Sequence, residues 1–329
     1  IGQEVSHEEL GGAQMHASIS GTIDFLEPDD ASCLSRLRAV VDTLPKETMA
    51  AEFRRDEVKP PKCNAEDVYQ VVSPEPQHQF DVREIIDCVI DGSSFQEYKS
   101  DYGKTMVCGY ARIGGFSVGI VANQHHSEMT PNDGMQFGGV IYHDSADKAS
   151  RFIMDCNQTW TPILFLQDVM GFMVGRDSEQ AGIIRNGAKL VNVISNSRVP
   201  KITVITGGSF GAGNYALCGK AFDPRFIFAW PNAQYAVMGG KQAASTLLDI
   251  QIAALKRSNK EPNTDDLEQL RDQVTDAYDI TTDIRYAAAR GWVDGIILPC
   301  ETRETVRRCL ELSTRYAEPE PFRTGVLQV

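Results

Sequence analysis

The sequence lacks most of the signatures that assign a protein quickly. Its eight cysteines (Cys33, Cys63, Cys88, Cys108, Cys156, Cys218, Cys300 and Cys309) include no C-x-x-C pair, so zinc-ribbon spacing is absent. No apolar run reaches about 18 residues, which leaves no membrane span indicated. The opening residues carry no signal-peptide pattern. Cationic excess is missing too. The 32 Lys and Arg against 45 Asp and Glu give a net charge of -13, which argues against a nucleic-acid surface. Histidine is scarce, with six residues that all precede Ser209. There is no short-period repeat and no low-complexity tract.

What remains is an ordinary globular balance. The 329 residues are 42% hydrophobic and 23% charged, enough for one large α/β unit with an appendage. Several cysteines sit inside apolar patterns, where free buried thiols in a reducing compartment are expected.

Three regions are expected along the chain. Residues 1–45 form an acidic lead-in with an extended piece (Ala17 to Phe25) and a helix over PDDASCLSRLRAVVDTLP. Residues 46–80 carry Pro60, Pro61, Pro74 and Pro76 among many charges and read as a linker. Residues 81–329 alternate strands and helices, which implies a mainly parallel sheet or stacked βαβ turns. In that region VREIIDCVI reads as a helix, and TMVCGYARI and FSVGIVAN read as a hairpin joined at Gly114-Gly115. Ala146, Ala149, Phe152, Ile153 and Cys156 mark one helix face. TPILFLQ, ITVIT and RFIFAW read as strands, and GIIRNGAKLVNVISN and NYALCGKAF as helices. Residues 242–258, 265–278, 282–289 and 303–316 are expected to be helical.

The stretch KITVITGGSFGAGNYALCGKAF admits three chemistries. Gly207-Gly208-Ser209-Phe210-Gly211 fits the nucleophile elbow G-x-S-x-G, but that order places the base histidine after the serine, and no histidine lies there. Gly211-Ala212-Gly213-Asn214-Tyr215-Ala216 fits the dinucleotide fingerprint, yet no Asp or Glu lies between Asp223 and Asp249 to hold a ribose. The third reading uses the backbone. A glycine-rich turn entering a helix exposes amide N–H groups without intrahelical partners, and the helix dipole adds partial positive charge. Small residues at Gly211, Ala212 and Gly213 let a carbonyl approach closely, which makes an oxyanion hole. A tight turn that needs glycine only for its dihedrals accounts for this stretch equally well.

A second segment, FLQDVMGFMVGRDSEQAGIIRNGAK, repeats the design of strand, glycine-bearing loop and helix. Its Gly171-Phe172 pair offers further outward amides, so two such loops on neighbouring turns can converge on one oxygen. The Phe172 side chain is expected in the core.

GFMVGRDSEQAGIIRNGAK, GGSFGAGNYALCGKAFDPRF and WPNAQYAVMGGKQAA closely resemble the carboxyltransferase (β) subunits of biotin-dependent acyl-CoA carboxylases, nearest the 3-methylcrotonyl-CoA type. EELGGAQMH, SFQEYKSDYGKTMVCGYARIGG, SADKASRFIMDCN and PFRTGVLQV extend the resemblance over almost the whole chain. It implies a ClpP/crotonase-like ββα spiral. Residues 81–329 would be the C-terminal carboxyltransferase subdomain, and residues 1–45 the end of the N-terminal one, whose body is absent from this sequence.

The resemblance further implies that this half receives carboxybiotin, while most acyl-CoA contacts lie in the other half. Carboxybiotin releases CO2, its ureido nitrogen takes the α-proton of the thioester, and the enolate attacks the CO2. Ala212 and Gly213, with Gly171 and Phe172, would stabilise the biotin ureido oxygen. Gly211, Gly208, Ser209, Asn214 and Lys241 would line the biotin and CoA site. No metal is expected in the chain.

Biotin would arrive on a partner, because no Met-Lys-Met sequence occurs here. The implied partners are the N-terminal carboxyltransferase half, in the same precursor or a separate subunit, and a biotin carboxylase or biotin carrier subunit. A homo-oligomer, as a dimer-based hexameric ring, is expected from the resemblance. Bacterial cytoplasm and mitochondrial matrix both suit it. NQHHSEMTPNDGMQFGGVIY departs from the methylcrotonyl-type loop in being longer, and His125 and His126 within it are expected as an exposed pair.

A crotonase-like hydratase, isomerase or thioester hydrolase without biotin is the alternative. Such enzymes place a carboxylate beside the hole; Asn214 and Tyr215 are not carboxylates, which leaves Asp168 as its base. A non-catalytic scaffold subunit would have no need of the small residues at 211–213, though tight packing could retain them.

Overall fold

The computed structural model describes residues 4–45, 56–73, 78–92, 94–257, 264–315 and 320–325. Its strands in chain order are β1 (Gln96–Tyr98), β2 (Met106–Ile113), β3 (Phe116–Asn123), β4 (Glu128–Thr130), β5 (Gly134–Gln136), β6 (Val140–Ile141), β7 (Ile163–Val169), β8 (Gly171–Phe172), β9 (Lys201–Phe210), β10 (Phe226–Ala229), β11 (Gln234–Ala236) and β12 (Gly295–Ile296). The main sheet runs β1-β2-β3-β7-β9-β10-β12, with β11 paired to β9. The expected hairpin is there: β2 and β3 pair antiparallel from Met106↔Asn123 to Ile113↔Phe116. From β3 to β12 every pairing in the sheet is parallel.

Both faces of this sheet are covered, and the period-2 alternation of side chains divides its residues cleanly. Met106, Cys108 and Tyr110 of β2 join Val121, Ile163 and Phe165 in one cluster, beneath helices His143–Gln158 and Ile183–Asn196. Val107, Ala111 and Ile113 join Ile120, Leu164, Leu166 and Val204 in the other, beneath helices Val82–Val89 and Thr302–Thr314. Burial on both sides explains why the strands read as continuous apolar runs. The helix face read from Ala146, Ala149, Phe152, Ile153 and Cys156 is fully buried.

Between the main strands the chain makes short second strands and returns by helices. Thus β7, β8 and helix Ile183–Asn196 form one ββα turn, and β10, β11 and helix Gly240–Arg257 form another. Of the short strands, β4 pairs with β5, β6 with β8, and β11 with the end of β9.

Three local expectations are corrected. Ala17 to Phe25 is not wholly extended, since His16–Ser20 forms a π-helical turn. There His16 Nδ1 bonds Ser20 Oγ at 2.8 Å, and Gly21 closes the turn at φ 65. The loop expected from Gly207 is instead strand as far as Phe210. The helix expected over NYALCGKAF spans Gly211–Ala216 and stops where Cys218 takes φ 55.

Of the stretch read as a linker, residues 46–55 and 74–77 lie outside the described residues. Among the others, Pro61 bridges to Gly92 and Val68 is buried. Phe25, Val40 and Leu44 from the first region pack against the sheet's first cluster.

Candidate active site

The site grows out of a defect in the sheet. Gln167 of β7 faces Ile205 of β9, but two residues later Val169 already faces Ser209. The extra residues on β9 swing its end away from β10, which pairs only with residues 202–205, and onto β11, which pairs with Gly208, Ser209 and Phe210. A bulge of this kind bends a strand and re-aims the segment beyond it. Here that segment is the short helix Gly211–Ala216, whose first N–H groups lack intrahelical partners.

The same defect brings the second glycine loop alongside. Helix Gly211–Ala216 packs on β8. A β-carbon on residue 213 would lie 2.5 Å from Val169 Cγ2 and 3.3 Å from the Cα of Gly171. Only a glycine permits that approach. Gly171 itself adopts φ 141, which L side chains rarely reach, and the space at its own β position is open.

The next amide is aimed by the strand. Met173 N–H donates to Ile141 O at 2.8 Å, so alternation along β8 turns the Phe172 N–H to the opposite side. The Phe172 ring packs into the core against Gly187, as its apolar surroundings in the sequence imply. Gly171, Phe172, Ala212 and Gly213 are thus brought together.

The remaining residues read from the glycine stretch are placed differently from one another. Ser209 is fully buried and its hydroxyl accepts from Asn214 Nδ2 at 2.7 Å. Asn214, also buried, takes a 3.4 Å bond from the Tyr235 hydroxyl. These two side chains brace the turn from within. Gly211 borders the segment after β11, where Val237 O would be 3.0 Å from a β-carbon on residue 211. Lys241 stands one residue into helix Gly240–Arg257, and its side chain lies outside the described residues. Around the turns the surface is apolar and open: Met170, Val174, Ile184 and Val237 are each more than 60% exposed.

One part of the site escaped the sequence reading. Gly208 N–H donates to Asp168 Oδ1 at 2.6 Å, and His125 Nδ1 meets Asp168 Oδ2 at 2.6 Å. His125 stacks on Phe80 with ring centroids 4.3 Å apart and planes 10° from parallel. The hydrogen bond that the ring donates to Asp168 raises the His125 pKa above the usual histidine value, against the opposing effect of burial. His126 Nε2 meets Glu128 at 2.8 Å. The expected exposed pair is therefore half-buried, because each ring has found a carboxylate. Asp168 has both oxygens engaged, so it is no free base. Its packing against Gly207, where a β-carbon would lie 2.6 Å from Asp168 Cγ, is a second reason for the glycine pair in β9.

Among the described residues no group of three or more His, Cys, Asp or Glu could hold a metal ion. All eight cysteines are free, and among the described residues no helix is long and apolar enough to cross a membrane.

The carboxyl transferase domain family matches residues 1–325. The chain is 43% identical to the biotin-dependent 3-methylcrotonyl-coenzyme A carboxylase β1 subunit of Mycobacterium tuberculosis, over 94% of this chain and 56% of the relative. It is 41% identical to the mitochondrial methylcrotonoyl-CoA carboxylase β chain of Arabidopsis thaliana, over 94% of this chain and 51% of that one. A solved structure of the transcarboxylase 12S hexamer, with methylmalonyl-coenzyme A and methylmalonic acid bound, superposes with a TM-score of 0.83. The match has 32% identity and covers 99% of this chain and 59% of that one. The chain spans about half the length of the curated relatives it matches.

Proposed function

The chain belongs to the carboxyl transferase domain family and has its crotonase-like α/β fold; from that premise we propose that it is the carboxybiotin-receiving half of a biotin-dependent acyl-CoA carboxylase. The observation that carries this reading is the approach of Gly213 to Gly171. The turns that follow β7 and β9 lie side by side there, with open space at the β position of Gly171.

The residues fit the ureido ring that the family implies. Gly171 leaves open space at its β position, and the turn at 211–213 is free of side chains larger than a methyl. When bound, biotin carries the carboxyl group to the acyl-CoA. The N–H groups of Ala212 and Gly213, completed by that of Phe172 beside the space that Gly171 leaves open, would hold the ureido oxygen as it gains negative charge. Fixed amides at a helix start cost no reorganisation at that moment, which is why such holes contribute strongly. Gly208 and Gly211 give the turn its shape, Ser209 and Asn214 brace it from within, and Lys241 stands at the border from which a CoA phosphate would enter.

The apolar exposure of Met170, Val174, Ile184 and Val237 is of the kind that marks an interaction site. It suits a composite site covered by the N-terminal carboxyltransferase half, by a second copy in a dimer-based hexameric ring, and transiently by the biotin carrier. On this reading residues 81–329 are the C-terminal subdomain, residues 46–80 its connection, and residues 1–45 the end of the N-terminal subdomain. Bacterial cytoplasm and mitochondrial matrix both suit the enzyme, whose relatives include a bacterial and a mitochondrial protein.

The test is carboxyl transfer from malonyl-CoA to free biotin, by this chain alone and mixed with a polypeptide supplying the upstream half. Transfer in the mixture only, abolished by Gly213→Val, is the expected result. Hydration or hydrolysis of acyl-CoA by the chain alone, with an inert mixture, would instead establish a crotonase-like enzyme without biotin.

A further inference from the structure

We propose that His125 is a positioning residue for the glycine hole, fixing the end of β9 through Asp168; this deepens, and rests on, the carboxyltransferase reading. The need for such a residue arises from the sheet defect. Thr206, Gly207 and Gly208 fall between the last regular β7–β9 pair and the resumed one, with only Asp168 opposite them. Two consecutive glycines without ladder bonds to β7 would leave the strand loose on that side just before it delivers Gly211 to Gly213. The Asp168 carboxylate supplies the missing acceptor by taking the Gly208 N–H at 2.6 Å.

That carboxylate is itself held from two sides. The Asp168 backbone N–H donates to Asn123 Oδ1 at 3.1 Å, and Oδ2 receives the His125 ring at 2.6 Å. His125 has no freedom to leave. Its backbone N–H donates to Gln124 Oε1 at 2.9 Å, and the fully buried Gln124 also accepts from Val82 N and donates to Asp81. The Phe80 ring covers one face of the imidazole. A continuous set of contacts therefore runs from the start of helix Val82–Val89 to the last glycines of β9.

The charges around the ring define its state. Asp168 on β7 is the charged group that meets His125. Asp81 is taken up by Arg83 and Gln124, and Glu128 on β4 by His126. His78 meets the ring through its backbone, while its own imidazole bonds Val71 O at 3.0 Å. A protonated His125 both donates to Asp168 and cancels its charge. Deprotonation removes that cancellation and loosens the aim of the carboxylate on Gly208.

This chain combined with a polypeptide supplying the upstream half, assayed for carboxyl transfer from malonyl-CoA to free biotin, tests the proposal. His125→Phe keeps the stack on Phe80 but removes the donor. It should lower kcat about 10-fold with KM for malonyl-CoA unchanged, as for a misplaced catalytic group. His125→Asn, whose amide can donate to Asp168, should recover most of kcat and lose the alkaline limb of the pH profile. Hydrogen exchange at residues 206–213 should speed up in the Phe variant and not in the Asn variant. Equal kcat and equal exchange in all three proteins, or a uniform rise in KM, would overturn the positioning role. A wild-type enzyme without carboxyl transfer would sink the carboxyltransferase reading, while the exchange measurement would still decide whether His125 orders β9.

Discussion

Gly213 and Gly171 sit on different turns of the chain, yet a β-carbon on residue 213 would lie 3.3 Å from the Cα of Gly171 and 2.5 Å from Val169 Cγ2. The obstruction is a fully buried β-branched side chain on a strand, stiff at χ1 and with nowhere to swing. Gly213→Ala should therefore push helix Gly211–Ala216 off β8 and cost about 1–3 kcal/mol in stability. Carboxyl transfer should fall about 100-fold, the scale of one lost oxyanion donor. Val169→Ala in the same chain relieves the first contact and should restore part of both losses. Steady-state rates and thermal melts of the single and double variants check this. Undiminished transfer by Gly213→Ala would show that the two turns do not form one hole.

Asp91 offers a contrasting case, in which structure rather than chemistry is at stake. It is 2% exposed, and its Oδ1 takes Gly114 N–H at 2.8 Å and Arg303 Nη2 at 2.6 Å. Its Oδ2 takes Gly115 N–H at 2.7 Å. One carboxylate thus fastens the β2–β3 turn to the helix Thr302–Thr314. Asp91→Ala removes the acceptor of both turn N–H groups and the buried carboxylate partner of Arg303, and should cost about 3–5 kcal/mol. Any protein that remains folded at low temperature should keep its KM for acyl-CoA. A denaturant titration with a change of less than about 1 kcal/mol would refute the clamp.

Much of this fold was legible because both faces of the sheet are buried. Met106 to Ile113 reads as a strand on composition alone, and its alternate residues do divide between two cores. Ala146 to Cys156 was legible for the same reason at helical spacing. The extent of β9 was not, because Gly207 and Gly208 look like the end of a strand. They stay in it because Asp168 and β11 supply partners that are 40 and 26 residues away in sequence. The amides at 171, 172, 212 and 213 could be suspected from repeated strand–glycine–helix design. His125 could not, since its partner Asp168 is 43 residues away and a His-His pair in a polar loop has no periodicity to betray burial. The departure of that loop from the methylcrotonyl-type pattern was the one signal available.

Ser209 separates the backbone chemistry from the serine chemistry that the same residues spell. Its hydroxyl is fully buried against Asn214 Nδ2. Ser209→Ala should leave that amide short of one acceptor, a cost of about 1–3 kcal/mol. Carboxyl transfer should stay within about threefold of wild type, because no step uses the hydroxyl. A loss of activity matched by labelling with a fluorophosphonate in the wild type alone would restore the nucleophile elbow.

Lys148 carries the clearest pH prediction. Its side chain is 1% exposed, and Nζ has no hydrogen-bond partner among the described residues. The neighbouring Glu97 is already engaged by Arg83 at 2.5 Å. Burial therefore pushes the Lys148 pKa down, with the Cys108 and Glu97 environment offsetting only part of the effect. Between the lowered folded pKa and the unfolded value of about 10.4, the unfolded chain binds the extra proton, so stability from this group rises with pH. Lys148→Met fills the same volume without a charge to desolvate. It should raise Tm by roughly 2–4 °C for each kcal/mol recovered, with the larger gain at pH 7 than at pH 9. Melts of both proteins at the two pH values decide it: a methionine variant less stable than wild type at pH 7 would mean that the ammonium is held charged and paired.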